Sequence, residues 1–255
     1  MSAETWLRLA LVPLVVLAGS LAARRWGHAA SGYLGGLPLI GGPITLFLAL
    51  DHGADFAARS ALFTLGAIAA QAAHLLVLSH VGKRKGWLAS LLAGWTAFAV
   101  VGCAVAALPL SAAIATALAL AGLAAAWRWL PPVRGHTPPP EVPPMELRLR
   151  VAAAFALAAA ILWSAPILGP VASGVLLSMP ITGSILPPFT LALYGHDALA
   201  RLARGFVVGL SGFTAFFLVV AAALPAWGIG AAFIAAVAAA LAGVAIAGRL
   251  VRARR

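Results

Sequence analysis

Long apolar runs, separated by short polar or proline- and glycine-bearing segments, fill nearly the whole chain. Runs of roughly 18–25 apolar residues are long enough to cross a bilayer as helices. By that measure nine spans are expected, at about 5–23, 29–50, 57–80, 87–107, 111–130, 148–168, 170–194, 203–224 and 227–248. The pattern also repeats. Ala30-Ser31-Gly32 runs on through Leu34 to Pro38, Gly41 and Phe47, and Ala172-Ser173-Gly174 runs on through Leu176 to Pro180, Gly183 and Phe189. Seven of these 18 positions are identical at a constant offset of 142, where composition alone would supply roughly two. With small gaps the match extends to Ala49-Leu50 with Ala192-Leu193, and to His52 with His196. Repeats have to be settled before the fold is assigned, because missing one misreads the architecture.

The expected fold is all-α: a polytopic transmembrane bundle of about nine spans, built as two inverted-topology four-span repeats with broken second helices. The first repeat covers 1–110, a linker span 111–130, a proline-rich loop 131–147 and the second repeat 148–255. The loop carries Pro131-Pro132, Pro138-Pro139-Pro140 and Pro143-Pro144, a density that stops helices and favours extended backbone. The linker span carries the chain across once more, so the second copy enters the membrane upside down relative to the first. Inverted repeats of this kind are the architecture of many secondary transporters.

The breaks are the candidate site. Span two reads Gly35-Gly36-Leu37-Pro38-Leu39-Ile40-Gly41-Gly42-Pro43, and its counterpart reads Ser178-Met179-Pro180-Ile181-Thr182-Gly183-Ser184. Proline removes an amide donor and glycine loosens the backbone, so the helix should unwind near residue 40. Unwound backbone at that depth survives only inside protein or along a wet cavity, where freed carbonyls and half-helix ends can hold a ligand. A substrate path would then be shaped by Pro38, Gly41, Gly42, Pro43, Pro180, Gly183 and Ser184, and lined by Ser31, Thr45, Ser173 and Thr182. The plainer alternative is a pair of kinked helices whose glycines allow close packing, with serines bonded back to their own helix.

Charge separates these readings from others. Mean hydropathy is +1.04 and 9% of residues are charged, a composition foreign to soluble domains. The six acids, Glu4, Asp51, Asp55, Glu141, Glu146 and Asp197, stand in or beside loops, as the cost of burying charge in lipid requires. Of the 17 lysines and arginines, 15 fall on one face of the nine-span arrangement, and Arg8 and Arg59 fall on the other. That bias places the N-terminus outside and the C-terminus on the cytoplasmic side. The net charge of +11 therefore reads as a topology signal and a contact for anionic lipid headgroups, not as a nucleic-acid footprint. Arg24 and Arg25 follow the first apolar run, the reverse of a secretory signal, so that span is expected to be retained.

Outside the breaks little chemistry is offered. His74 lies well within span three, and two roles compete for it: a proton relay or substrate contact, or a neutral ring bonded to Gln71 one turn away. Asp51, His52 and Asp55 cluster in one loop, and His196 and Asp197 in another; only three candidate ligands at one loop make a poor metal site, and a gate or cap suits them better. Cys103 is the only cysteine, which excludes a disulfide framework. Hydrolase, metalloprotease and phosphate-loop signatures are absent, so neither catalysis, a cofactor nor a metal is expected.

Each half, taken as four spans, resembles the small GlpM-type inner-membrane proteins of bacteria. The likeness rests on a first span ending in Arg24-Arg25, a broken second span with Gly35-x-x-Pro38-Leu39, the His52-Gly53 turn, and the Arg59 to Gly66 opening of the third span. The second half keeps Pro180, His196 and Arg204 but has Leu177 where the leading glycine would stand. The resemblance implies a duplicated bacterial membrane module of a family linked to alginate production, with no activity or catalytic residue attached to it.

Together these features lead to the expectation of a secondary transporter or permease, moving a small neutral, amphipathic or lipid-like substrate by alternating access. A membrane scaffold or accessory subunit for envelope polysaccharide or lipid assembly is the rival, with a headgroup-level transferase using His196 and Asp197 behind it. Membrane lipids are the expected partners, together with an unknown small-molecule substrate and a second copy of the chain.

Overall fold

The computed structural model describes residues 3–133 and 179–253, with the short pieces 144–145, 147–149, 151–152 and 155–156 between them. Most of the sixth apolar run, most of the proline-rich loop, Ser173 and the first part of the seventh run accordingly lie outside the described residues. Those described form helices and no strand. In order they are α1 (Ala3–Trp26), α2 (His28–Gly36), α3 (Gly41–His52), α4 (Ala54–Gly66), α5 (Ile68–Val81), α6 (Trp87–Ala106), α7 (Ala112–Trp129), a 3-10 turn at Thr182–Ser184, and α8 (Leu186–Ala253). Non-helical backbone at Gly195 and Gly228 divides α8, so that it works as three helices, 186–194, 196–227 and 229–253.

Five stretches among the described residues are long and apolar enough to cross a membrane: His28–His52, Ala54–Val81, Trp87–Ala106, Ala112–Trp129 and Thr182–Val251. The last, at 70 residues, exceeds the roughly 20 residues one crossing needs. Long apolar helices in a bundle are consistent with a membrane protein.

Local chemistry sets the boundaries. Gly27, Gly53, Gly195 and Gly228 take positive φ, at 82°, 87°, 78° and 71°, a region that side chains other than glycine's resist. Each lets one helix end and the next begin with a single residue between them. Ser111 caps α7 by accepting from the Ile114 amide at 3.3 Å. At the other end of α7 the Arg204 guanidinium donates to the Leu130 and Pro131 carbonyls, supplying cationic donors where a helix leaves carbonyls unpaired.

Gly53 (φ 87, ψ 166) and Gly195 (φ 78, ψ −175) share one backbone conformation and stand 142 positions apart. This ungapped register pairs Asp55 with Asp197 and Arg59 with Arg201. It therefore corrects the gapped matching of His52 with His196, since His52 now falls opposite Tyr194. The two turns also sit at opposite ends of the bundle. Gly53 opens the α4–α5 run, and near the close of that run the Ser79 carbonyl meets His196 Nε2 at 3.2 Å.

The helix holding the first break is clamped to the second half of the chain. Gly32-x-x-x-Gly36 on α2 faces Gly205-x-x-x-Gly209 on α8, so closely that a Cβ at Gly32 would fall on the Leu202 carbonyl oxygen. One at Gly205 would fall on the Ala29 carbonyl oxygen, and one at Gly209 would sit 2.8 Å from the Gly36 Cα. Small residues that bring backbones together are how helices associate where lipid removes the hydrophobic drive. α5 is held on its other sides by α6, where Gly94 covers His74, and by α7, where Gly122 lies on Ala69.

Candidate functional site at the two helix breaks

The first break is the extended and turn segment 37–40 between α2 and α3. Leu37 is extended (φ −75, ψ 157), and the helix restarts when the Gly42 amide reaches the Pro38 carbonyl at 2.8 Å. Pro43 stands in the first turn of α3, where an amide would have no helical partner in any case. The second break is 179–185, with Thr182–Ser184 as a 3-10 turn and Pro187-Pro188 in the first turn of α8. The first segment interrupts a helix where proline and glycine predict, the second is non-α backbone over its described residues, and each is followed by a helix with proline in its opening turn.

The two breaks meet. Thr182 Oγ1 donates to the Gly35 carbonyl at 2.8 Å across 147 residues of sequence. Gly35, Gly36, Leu37, Ile40 and Gly41 from the first break share one small cavity with Met179, Ile181 and Thr182 from the second. Gln71 and Phe213 complete its wall, and its volume is about 30 Å³, room for about one water.

Each break rests on a helix from the other half, and the two supports differ in chemistry. Gly41 lies against Phe213 and Phe217, and Gly42 against Phe216. The three rings pack on one another, with centroids 4.5 Å apart for the tilted pair Phe213–Phe217 and 5.2 Å for the edge-to-face pair Phe216–Phe217. Gly183 lies instead against His74. Phe213 and Phe216 stand 142 positions beyond Gln71 and His74, so the same places carry aromatic carbon on one side and an amide and an imidazole on the other.

His74 is 1% exposed. Its Nε2 lies 3.3 Å from the Gly183 carbonyl; a carbonyl only accepts, so the ring carries its proton on Nε2 and leaves Nδ1 as an acceptor. Nδ1 is buried without a hydrogen-bond partner, and Gly94 is the residue that makes room for it. The ring thus reaches the second break, not Gln71 on its own helix as the i, i+3 spacing predicts.

Other sequence candidates sort by their bonds. Thr45 Oγ1 donates to Gly41 O at 2.7 Å, and Ser184 Oγ donates to Pro180 O at 2.7 Å, so both hydroxyls close the backbone turns at the breaks. Ser31 Oγ is buried with no partner, although a bond back to its own helix was the plainer expectation. Asp51 and His52 are exposed, with His52 packed on Phe56 at 4.9 Å. Asp55 and Asp197 are exposed at their respective turns, and His196 bonds Ser79; these residues stand apart from the cavity. Among the described residues no group of three or more His, Cys, Asp or Glu could hold a metal. Sequence reasoning missed Phe213, Phe216 and Phe217 as the support of the first break. It named Gln71 only as a neighbour of His74, because nothing in a linear pattern says which helix faces which.

Comparison with protein-family models, with curated proteins and with solved structures finds no match to this chain.

Proposed function

We propose that the protein is a secondary transporter or permease, and that a small neutral, amphipathic or lipid-like molecule passes through the seam between the two breaks. The observation that carries this reading is the shared cavity. The interruption between α2 and α3 and the turn that precedes α8, distant in sequence, line one small cavity with Gln71 and are tied to each other by Thr182 and Gly35. Paired interruptions facing one cavity are the arrangement that binds substrate in transporters of inverted-repeat design. Nine spans in two inverted four-span repeats are part of the proposal. Its supports are the Gly53 and Gly195 turns at opposite ends of the bundle and the crosswise seating of Gly41 on Phe213 and of Gly183 on His74. A space for one water makes the present conformer occluded, and opening would part the Thr182–Gly35 and His74–Gly183 contacts. An N-terminus outside is read from the arginine and lysine bias, and a bacterial cytoplasmic membrane from the resemblance to GlpM-type proteins.

One observation favours the accessory-subunit reading instead: the wall at Gly41 and Gly42 is aromatic and closely packed. Cysteine accessibility separates the two. In a Cys103→Ala background, single cysteines replace Met179 or Thr182, with Ala203→Cys, fully buried in the core, as a reference. A membrane-impermeant thiol reagent should label the first two from at least one side of the membrane and leave the reference unmodified. Protection of all three in folded protein would sink the transporter and favour a packed scaffold.

A further inference from the structure

Away from the breaks, an open crevice of about 380 Å³ runs between α7 and the last part of α8. Its size falls in the roughly 300–1,000 Å³ range of small-molecule sites. The walls are Leu123 and Trp127 from α7 with Val207, Val208, Ala247 and Val251 from α8. Ser211 also borders it, but its hydroxyl is committed to the Val207 carbonyl at 3.2 Å, so the depth of the crevice asks for no polar ligand. The mouth is different. Arg128 borders it and is exposed. Arg204 stands close by, its guanidinium 5.7 Å from the Trp127 ring, and among the described residues no acidic one lines the space.

A crevice of this kind in a bilayer fills with hydrocarbon, since water gains nothing from apolar walls. Its single charged rim selects the headgroup. We propose that it holds one anionic phospholipid, with an acyl chain laid along Val207, Val208, Ala247 and Val251 and the phosphate on Arg128. The charge of the rim excludes a purely apolar guest as the preferred one, because a guanidinium gains most from a phosphate that accepts its hydrogen bonds. The Trp127 indole beside the mouth suits the headgroup level, where tryptophan concentrates in membrane proteins. The proposal needs the membrane reading but is independent of transport, as no residue of the crevice belongs to the breaks.

The test uses the full chain, purified in detergent and titrated with phosphatidylglycerol or phosphatidylcholine of matched chain length, with bound lipid counted by native mass spectrometry. The expected result is one saturable phosphatidylglycerol per chain, bound about tenfold more tightly than phosphatidylcholine, the size of effect one charge-assisted contact supplies. Arg128→Gln should remove that preference and Arg128→Lys restore part of it, while Arg59→Gln at the far end leaves it intact. Ala247→Trp, which fills the crevice, should abolish binding of both lipids. If that variant fails to fold, the Arg128 pair decides alone. Equal binding of the two lipids, or an Arg128→Gln protein that holds phosphatidylglycerol as the parent does, overturns the proposal. So does a dimer that Ala247→Trp disrupts, since a second copy would then be the occupant.

Discussion

At the scale of single residues, the hydroxyl of Thr182 does something its neighbours' hydroxyls do not. Thr45, Ser184 and Thr214 each donate to a carbonyl four residues back, the usual resort of a short hydroxyl in an apolar helix. Thr182 sits in a 3-10 turn and reaches Gly35 on another segment. Gly35 is the penultimate residue of α2, and carbonyls in the last turn have no amide of their own helix to accept from. A side chain from one break therefore completes the backbone of the other. Thr182→Val keeps the shape and removes the donor, so it should cost about 1 kcal/mol, the scale of an interhelical bond inside a membrane protein, and Thr182→Ser should recover most of it. Unfolding free energies in mixed micelles would measure both. A valine variant as stable as the parent would mean that water in the adjoining cavity takes over the Gly35 carbonyl.

At the scale of elements, the bundle is organised by glycines that the hydropathy pattern treats as ordinary apolar positions. The ends of the apolar runs were readable because helix breakers mark them. Gly36 and Gly41 bound the first interruption, and the runs expected at 29–50 and 87–107 lie on α2–α3 and α6. Pairing was not readable, since Gly32, Gly36, Gly205 and Gly209 sit among many other glycines and only the folded chain says which two stripes meet. His74 failed in the same way: its spacing to Gln71 is local and visible, whereas its bond to Gly183 spans 109 residues. The contrast between buried and free glycines gives a direct check. Gly32→Ala and Gly205→Ala each place a methyl on a backbone oxygen of the facing helix, so each should destabilise by roughly 1–3 kcal/mol or more as the helices part. Gly230→Ala meets nothing within 4 Å and lies inside a helix, so it should be neutral or stabilising by up to about 1 kcal/mol. Thermal unfolding in detergent would rank the three, and equal effects would mean that α2 and α8 do not bear on each other's stability.

At the scale of the whole molecule, the repeat and the charge bias make one joint statement about how the chain lies in a membrane. Ala54–Val81 contains 28 residues, which at about 1.5 Å per residue is roughly 40 Å, enough to cross a hydrocarbon core of about 30 Å. Gly53 opens that stretch and His196 meets it near its close, so two turns of the same backbone shape are set on opposite faces of any bilayer the bundle spans. Asp55 and Asp197 occupy equivalent places two residues after those glycines and are both exposed. Cysteines at the two positions, each in a Cys103→Ala background, should react with an impermeant reagent from opposite sides of sealed vesicles, Asp55→Cys from the outside and Asp197→Cys from the inside. Labelling of both from one side would mean that the duplicated halves are not inverted, and alternating access would lose its geometric basis. Labelling of each from both sides would mean that the chain inserts in either orientation, against the single orientation that the proposed nine spans assign it. Opposite-sided labelling would leave the cavity between the breaks as the place where two inverted halves meet, and so as the only common wall that a rocking motion could open to each side in turn.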